Sequence, residues 1–221
     1  MQQIELSEEL KVLYSSQRKD PFLVDVPMMH YLTYDGNGHP SEADFQTACE
    51  ALFNLAYIIK FKVARKQLGV DYKVSPMEVD WFLEKQSKPN LPTVISSSDD
   101  DPPIPENKAR TITYTWKMMI MQPEFITPLM YGEAIVVARQ SKPDIPFLKV
   151  HFEEIPYGKC IQCFHLGDYL KMNDTLAKMK AYGTSLGLST EPFTHDVYLN
   201  DSRKTKPENL KAIMRVKVLE K

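Results

Sequence analysis

The sequence predicts nearly the same order of elements in its first and last thirds, and this repetition limits the fold more than any other feature. Residues 22–38, FLVDVPMMHYLTYDGNG, are typical of a strand with a proline near its start and a glycine turn at its end. Residues 152–169, FEEIPYGKCIQCFHLGDY, have the same layout. A helix and an acid-bearing strand follow in each case, so we expect an internal duplication.

Three helices are predicted from their periodicity and their end signals. In the first third, apolar residues recur at helical spacing, at Phe45, Ala48, Leu52, Leu55, Ile59 and Val63. Ser41 and Asp44 form the S-x-x-D start of this helix, and Gly69 ends it. A second helix begins with Thr127 as its cap and Pro128 at its first position, and continues to about Gln140. The third starts at Asn173 or Asp174 and stops at Gly187.

The chain is long enough for one large domain, and its composition suggests where that domain divides. Residues 85–108, KQSKPNLPTVISSSDDDPPIPENK, are rich in proline, serine and aspartate, which is typical of an exposed connection. We expect an N-terminal extension over residues 1–20 and one domain over 21–221. Within the domain the segments are repeat one (21–84), the linker (85–108), a strand and helix (109–142) and repeat two (145–221).

Charge and cysteine content exclude several classes of protein. The formal net charge of -2 gives no general attraction to nucleic acid, so no direct nucleic-acid binding is expected. No run of apolar residues approaches the roughly 18 that a membrane span needs, and the N-terminus has no apolar signal region. The 3 cysteines are an odd number without a disulfide framework, which favours a reducing interior and predicts a cytoplasmic protein.

The motifs of common enzymes are missing, and one motif that is present has an ordinary explanation. There is no G-x-S-x-G, no dinucleotide or P-loop fingerprint and no H-E-x-x-H. Cys160-Ile-Gln-Cys163 is a C-x-x-C, but it lies in a strand pattern, where residues three apart point to opposite faces. We interpret both as ordinary strand cysteines, and we expect neither a cofactor nor a metal site.

Two carboxylates stand among aromatic residues in corresponding strands. Glu78 lies in residues 72–82, YKVSPMEVDWF, and Asp196 lies in residues 195–199, HDVYL. A carboxylate among aromatic side chains attracts lipophilic cations through charge pairing and cation–π contact. The alternative is that both acids face water from half-exposed strands while the aromatic residues form the core, and the pattern alone leaves this open.

Several separated segments, in the right order, resemble the GyrI-like small-molecule-binding proteins. They are FLVDVP with HYLTYDGNGHPSEADF, YKVSPMEVDW, the tryptophan strand with MIMQPEFIT, and HDVYLNDSRKT with PENLK, which together span Pro21 to Leu219. The resemblance implies an α+β fold made of tandem duplicated strand–helix–strand–strand units. These would form a pseudo-two-fold antiparallel sheet with helices on one side and a ligand cleft between the repeats.

The resemblance also implies a small-molecule ligand, aromatic or cationic in character. Relatives include the effector domains of multidrug-sensing transcription activators and the gyrase-inhibitory proteins, so contact with gyrase stays open. Other relatives hydrolyse the cyclopropane ring of DNA-alkylating natural products, so both a binder and a hydrolase remain as hypotheses. The first residues are too few for a helix-turn-helix domain, which disfavours a transcription factor.

The expected site follows from both the residues and the resemblance. If the chain is an enzyme, Glu78, Asp196 and Tyr198 would be catalytic, with Tyr198 or His165 as the proton donor. Asp196 stands where the family usually has glutamate, so it is one methylene shorter and reaches less far. Two departures occur in the first-repeat strand: Val79 replaces the family's glycine and is expected to narrow the cleft, and Phe82 replaces its tryptophan and lacks an indole donor. Such changes weigh against ring opening more than against binding. The expected ligand-binding residues are Tyr34, Glu78, Trp81, Trp116, Met118, His165, Asp196 and Tyr198.

Overall fold

The computed structural model describes residues 2–83 and 114–219. Its strands are β1 (Gln2–Ile4), β2 (Phe22–Asn37), β3 (Val70–Tyr72), β4 (Met77–Leu83), β5 (Tyr114–Gln122), β6 (His151–Leu166), β7 (Ser189–Thr190), β8 (Thr194–Tyr198) and β9 (Lys211–Leu219). Its helices are α1 (Glu8–Ser15), α2 (Ala43–Ile58), α3 (Arg65–Leu68), α4 (Pro128–Ser141) and α5 (Met172–Ser185). The predicted linker 85–108 and the first residues of the strand expected from 109 lie outside the described residues.

The main sheet is antiparallel and closes on itself. Its strands follow the order β6-β2-β5-β4-β8-β9, and β6 also pairs with β9. The short β7 pairs with β9, and β1 forms a separate parallel pair with β3. Because side chains alternate along each strand, the closed sheet has an interior face and an outer face with different neighbours.

Three helices cover the outer face. Helix α2 packs against β2 and β5, where it covers Trp116, Met118 and Ile120. Helix α4 packs against α2, and α5 packs against residues of β6 and β9. Leu52 and Leu55 of α2 are fully buried in this layer. Burying each such side chain stabilises the fold by about 1.5–3 kcal/mol, so the apolar stripe of α2 holds it on the sheet.

Helix α1 packs on the interior side of the closed sheet. Its Leu13 and Tyr14 are buried against Tyr31, Met119 and Ile213 from three different strands. The expectation that the helices lie on one side therefore holds for α2, α4 and α5 but is wrong for α1. The N-terminal segment forms part of the interior core.

The helix signals read from the sequence are confirmed with two exceptions, the starts of α2 and α5. Helix α5 begins at Met172, so Asn173 and Asp174 lie inside it and neither caps it. Thr127 accepts a hydrogen bond from the Met130 backbone and Pro128 is the first residue of α4. Gly69 ends α3 with φ 64°, a left-handed conformation that glycine adopts without steric cost. Ser41 does not cap α2: its hydroxyl lies 2.8 Å from His39 Nδ1 instead.

The mixed α/β composition and the antiparallel sheet agree with the predicted fold class. Both halves contain a strand, a helix and two further strands of the main sheet, β2, α2, β4 and β5 in one and β6, α5, β8 and β9 in the other. That the two halves derive from one duplicated unit stays a prediction, as does the division into repeats. In the described part of the chain, no helix is both long enough and apolar enough to cross a membrane.

Candidate ligand-binding cleft

The two expected site acids lie on opposite faces of the sheet. In the β4–β8 pairing, Val79 is opposite Asp196 and Glu78 is opposite Val197. Since neighbouring residues of a strand point to opposite faces, Asp196 faces outward and Glu78 faces the interior. The expectation that these two acids share one cleft is therefore wrong. A difference of one residue along a strand is enough to reverse the face on which a side chain lies.

A groove on the outer face contains Asp196. Its walls near that residue come from α2, β4, β8 and the short helical turn Tyr169–Lys171, through Phe45, Cys49, Met77, Trp81, Tyr169, Leu170, Asp196 and Tyr198. The groove has a volume of about 2320 Å³ and extends beyond the outer face as far as α1 on the interior side of the sheet. Ligand pockets usually measure about 300–1000 Å³, so one small molecule would occupy only part of it. We call the part around Asp196 the cleft.

Aromatic rings form most of the cleft wall. Trp81 stacks on Phe45 with ring centroids 5.8 Å apart and meets Tyr114 edge to face at 5.9 Å. On the other side, Tyr169 meets Tyr198 edge to face at 5.2 Å. Such contacts hold the rings in fixed orientations, so the cleft offers flat apolar surfaces to a ligand.

Asp196 is buried at the base of this cleft and is only partly satisfied. Its side chain belongs to a residue that is 4% exposed, and Oδ2 accepts a hydrogen bond from Thr194 Oγ1 at 3.2 Å. Oδ1 is buried and has no hydrogen-bond partner among the described residues. Burial raises the pKa of Asp196 to about 7, although the charge of His195 acts to lower it. The carboxyl group therefore titrates near neutral pH.

Tyr198 lies two residues further along β8, on the same face. The indole Nε1 of Trp81 donates a hydrogen bond to the Tyr198 hydroxyl oxygen at 3.0 Å. Since the oxygen accepts this bond, the phenolic proton is free to point into the cleft. Burial, and then the charge of Asp196, raises the pKa of Tyr198 well above its ordinary value. Tyr198 therefore remains a hydrogen-bond donor at any physiological pH.

The other predicted ligand-binding residues lie behind the wall or away from it. Trp116 and Met118 are fully buried under α2, and Trp116 Nε1 donates to the Gly38 carbonyl at 3.2 Å. Tyr34 is buried beside them and stacks on Trp116. His165 lies near α5, where its ring nitrogens contact Thr175 Oγ1 and a backbone carbonyl. These four support the fold around the cleft but do not line it.

The two departures from the family pattern have different positions. Val79 is fully buried beside Asp196 and fills the wall beneath the cleft. Phe82 follows Trp81 directly, so it points to the opposite face, where its ring lies 4.8 Å from that of Phe193. Phe82 therefore lies outside the cleft, and its missing indole donor does not affect the cleft wall.

Glu78 belongs instead to a hydrogen-bonded cluster inside the closed sheet. Its Oε1 accepts from the Tyr14 hydroxyl at 2.8 Å, and its Oε2 lies 2.7 Å from His195 Nε2 and 3.5 Å from Arg215 Nη1. Arg215, fully buried, also donates to Gln162 Oε1 at 2.9 Å. Every polar atom of the Glu78 carboxylate therefore has a partner.

His195 joins two carboxylates within this interior cluster. Its Nδ1 lies 2.8 Å from Asp80 Oδ1, and Asp80 also accepts from the Tyr157 hydroxyl at 2.9 Å. Burial lowers the pKa of His195, but the hydrogen bonds and charges of Asp80 and Glu78 outweigh it and raise the pKa to about 9. The imidazolium and the Arg215 guanidinium thus balance the two carboxylates, which is the arrangement buried charges require.

Sequence reasoning missed several cleft residues. Phe45 and Cys49 lie one turn apart on α2 and both line the cleft. The sequence pattern places Phe45 in the apolar stripe of this helix and does not single out Cys49. Tyr169 lies in the short helical turn that follows β6, where the sequence predicts only a turn. For Phe45 and Tyr169 the one signal in the sequence is that they are aromatic. Helical periodicity does not distinguish a core face from a cleft wall.

The whole chain, apart from its ends, matches one protein family. The model of the GyrI-like small molecule binding domain matches residues 19–219. The chain belongs to the GyrI-like family. The resemblance read from the sequence segments is thereby confirmed, and with it the description of this chain as a GyrI-like small-molecule-binding domain.

Solved structures of similar proteins come from Listeria innocua. An uncharacterized conserved protein shares 29% identity, with 98% of this chain and 100% of the other covered and a TM-score of 0.80. Two hydrolases share 27% and 29% identity, cover 98% and 99% of this chain and all of their own length, and have TM-scores of 0.78 and 0.79. No curated protein matches the chain significantly.

Proposed function

We propose that this GyrI-like protein binds lipophilic small molecules, often cationic or polycyclic, in the cleft around Asp196. The buried Asp196 Oδ1, which lacks a hydrogen-bond partner among the described residues, is the observation that carries this proposal. An unpaired buried carboxylate oxygen costs free energy, and a ligand that donates a hydrogen bond or brings a positive charge removes that cost.

The surroundings of Asp196 support an aromatic ligand. Trp81 and Phe45 present stacked rings, and Tyr198 presents its free phenolic proton within the same cleft. A flat ring system gains contact area and cation–π attraction from such walls, while the carboxylate fixes its orientation. A ligand with a flat apolar body and one cationic or hydrogen-donating group fits all these features.

Thermal-shift measurements with planar cationic dyes test the proposal. A ligand that binds the native state raises its melting temperature, so we expect stabilisation by cationic dyes and less by neutral dyes of the same shape. Asp196→Asn should weaken the cationic dyes by about 1–3 kcal/mol, roughly 5- to 150-fold in Kd. Asp25→Asn is the matched control, because Asp25 is an exposed acid of β2 and its replacement changes the net charge equally. Equal loss in both variants would exclude a specific role for Asp196.

A second candidate function is hydrolysis of an activated cyclopropane, and the two similar Listeria innocua hydrolases favour it. Asp196, with a pKa of about 7, suits a general base that takes a proton from water. The water oxygen would bond to a ring carbon while the ring carbon–carbon bond breaks. Its electrons would move toward a conjugated carbonyl, where the Tyr198 proton donates a hydrogen bond.

Mass spectrometry separates hydrolysis from binding. A hydrolase should convert an excess of the cyclopropane compound into its water adduct, which is heavier by the mass of one water. The variant Asp196→Asn should abolish this turnover. Tyr198→Phe should lower the turnover rate more than the affinity, because the developing charge on the carbonyl is largest in the transition state. Protection of the compound in a one-to-one complex without adduct would leave binding as the function.

We also propose a cytoplasmic location. Cys49, Cys160 and Cys163 are all free thiols, and free thiols persist in a reducing compartment. Fractionation of cells that express the protein from its own promoter tests this, and recovery in an oxidising compartment would contradict it.

A further inference from the structure

Three sulfur atoms meet in the cleft wall. The Cys49 thiol lies 3.5 Å from Met77 Sδ and 3.5 Å from Met118 Sδ. The three residues come from α2, β4 and β5, so the fold rather than the local sequence brings them together. Cys160 and Cys163, in contrast, lie apart on opposite faces of β6, as expected from their spacing.

One proton is shared by too many acceptors in this sulfur cluster. Both thioether sulfurs are placed to accept a hydrogen bond from the Cys49 thiol, but the thiol has only one proton. The Cys49 sulfur is therefore in contact with two further sulfur atoms, one from each of two neighbouring strands. A single ion bound beside Cys49 could be shared by all three sulfurs, whereas one proton serves only one acceptor at a time.

The charge balance selects a monovalent ion. A cysteine thiol is ordinarily protonated at neutral pH, so it gives up its proton when it binds a metal ion as the thiolate. Exchange of the proton for a monovalent ion forms one metal–thiolate bond, releases one proton and leaves the site neutral, whereas a divalent ion would leave a buried positive charge.

The chemistry of the donors selects a soft ion. Thiolate and thioether ligands prefer Cu(I) and similar ions, whereas carboxylate and carbonyl oxygens suit magnesium and calcium. Within residues 2–83 and 114–219, no group of three or more His, Cys, Asp and Glu residues could hold a metal ion. A site in this part of the chain would therefore depend on methionine sulfur.

We propose that Cys49, Met77 and Met118 form a site for a soft monovalent metal ion, Cu(I) or Ag(I). Three sulfurs about 2.3 Å from one ion lie about 4.0 Å apart in a trigonal arrangement. The observed spacings from Cys49 are 3.5 Å, and flexible methionine side chains absorb the small expansion. Cys49 and Met77 line the cleft, so the ion reaches the cluster from solvent while Met118 closes it from behind.

Competition with a chelator tests the site in the intact protein. Cu(I) held by the chromophoric chelator bicinchoninate should transfer to the protein in a one-to-one ratio, with release of one proton. Cys49→Ser should abolish the transfer, and Met77→Leu and Met118→Leu should each weaken it at least about tenfold, since each removes one of three ligands. Ag(I) titration in air should give the same order of variants.

Two controls keep the test decisive. Met28→Leu changes an exposed methionine, which is 63% exposed, and should leave Cu(I) affinity unchanged. The double variant Cys160→Ala, Cys163→Ala should also retain the one-to-one site. If Met118→Leu does not fold, the Cu(I) affinity of Met77→Leu, which changes a half-buried side chain, is the decisive measurement. Unchanged affinity in Met77→Leu, or loss of the site in the double cysteine variant, would overturn the proposal.

Discussion

The interior cluster contains the buried carboxylate of Glu78, and the cleft contains the buried carboxylate of Asp196. Among the described residues, the fold supplies charged partners to Glu78 but not to Asp196. Glu78 is 0% exposed and Asp196 is 4% exposed, so burial alone does not distinguish them. Glu78 contacts a phenol, an imidazolium and a guanidinium, whereas Asp196 accepts one hydrogen bond from a threonine. The difference lies in the partners that the fold supplies.

This difference indicates which acid serves the fold and which serves a ligand. A buried carboxylate must be paired, or it shifts its pKa so that it is neutral for more of the pH range. The interior cluster follows the first route through His195 and Arg215. Asp196 follows the second route, since its pKa rises to about 7. The Asp196 carboxylate has no charged partner among the described residues of the fold and borders the cleft. It is therefore the carboxylate that can pair with a ligand.

Removing the charge of Glu78 should have the largest effect on stability. In Glu78→Gln, His195 and Arg215 lose their shared anion, and breaking a buried charge pair on one side costs about 3–5 kcal/mol. We expect urea unfolding to show this loss, with dye affinity within about twofold of the wild type for the folded fraction. The exposed Glu208→Gln is the matched control and should stay within about 0.5 kcal/mol.

The opposite result for Glu78→Gln would contradict the distinction between the interior cluster and the cleft. If Glu78→Gln remained as stable as the control while dye affinity fell, the interior cluster would be part of the ligand site. The sequence alone favours that result, because Glu78 and Asp196 appear there as an equivalent pair. The structure reverses the expectation through the β4–β8 register.

Asp196→Asn should stabilise the protein, and the gain should depend on pH. The folded pKa of about 7 lies above the ordinary value of 3.8, so ionisation costs the folded state free energy as pH rises between these values. The cost reaches about 4 kcal/mol above pH 7 as an upper bound. At pH 4 the free energies of unfolding of Asp196→Asn and the wild type should therefore be almost equal. At pH 8 the variant should be clearly more stable.

A uniform effect across pH would contradict this account. Loss of stability in Asp196→Asn at pH 8 would mean that the carboxylate pairs within the fold. His195 also titrates, with a raised pKa of about 9, and its contribution to stability is present below pH 6.5 and lost as pH rises through 9. To first order it affects wild type and variant alike, so the difference between them reports on Asp196.

Much of the fold could be predicted because its signals are local. The caps at Thr127 and Pro128 and the left-handed Gly69 each depend on a few neighbouring residues. The register of β4 on β8 depends on contacts between residues more than 100 positions apart, and no local pattern fixes it. The sequence therefore does not show that Glu78 and Asp196 lie on opposite faces of the sheet.

The candidate site was predictable only where one short segment contains it. Asp196 and Tyr198 lie two residues apart in one strand, so they share a face whatever the rest of the fold does. Trp116 and His165 were chosen for their chemistry, but packing under α2 and beside α5 removes them from the cleft. Phe45 and Cys49 were missed because only the assembled sheet shows which edge of α2 borders open space.

Removing the hydrogen bond between Trp81 and Tyr198 should change the free energy of unfolding least among these predictions. It tests how the fold orients Tyr198 toward the cleft. The Nε1 to oxygen distance is 3.0 Å, and a neutral hydrogen bond of this kind contributes about 0.5–1.5 kcal/mol. Trp81→Phe also removes ring contacts, so the single variant does not isolate the bond. A double-mutant cycle with Tyr198→Phe cancels those contacts and should leave a coupling of about 1 kcal/mol in urea unfolding. The cycle of Trp81→Phe with Tyr114→Phe keeps the Tyr114 ring at 5.9 Å and should give a coupling near zero. Equal coupling in the two cycles would mean that ring packing, not the donated hydrogen bond, orients Tyr198 toward the cleft.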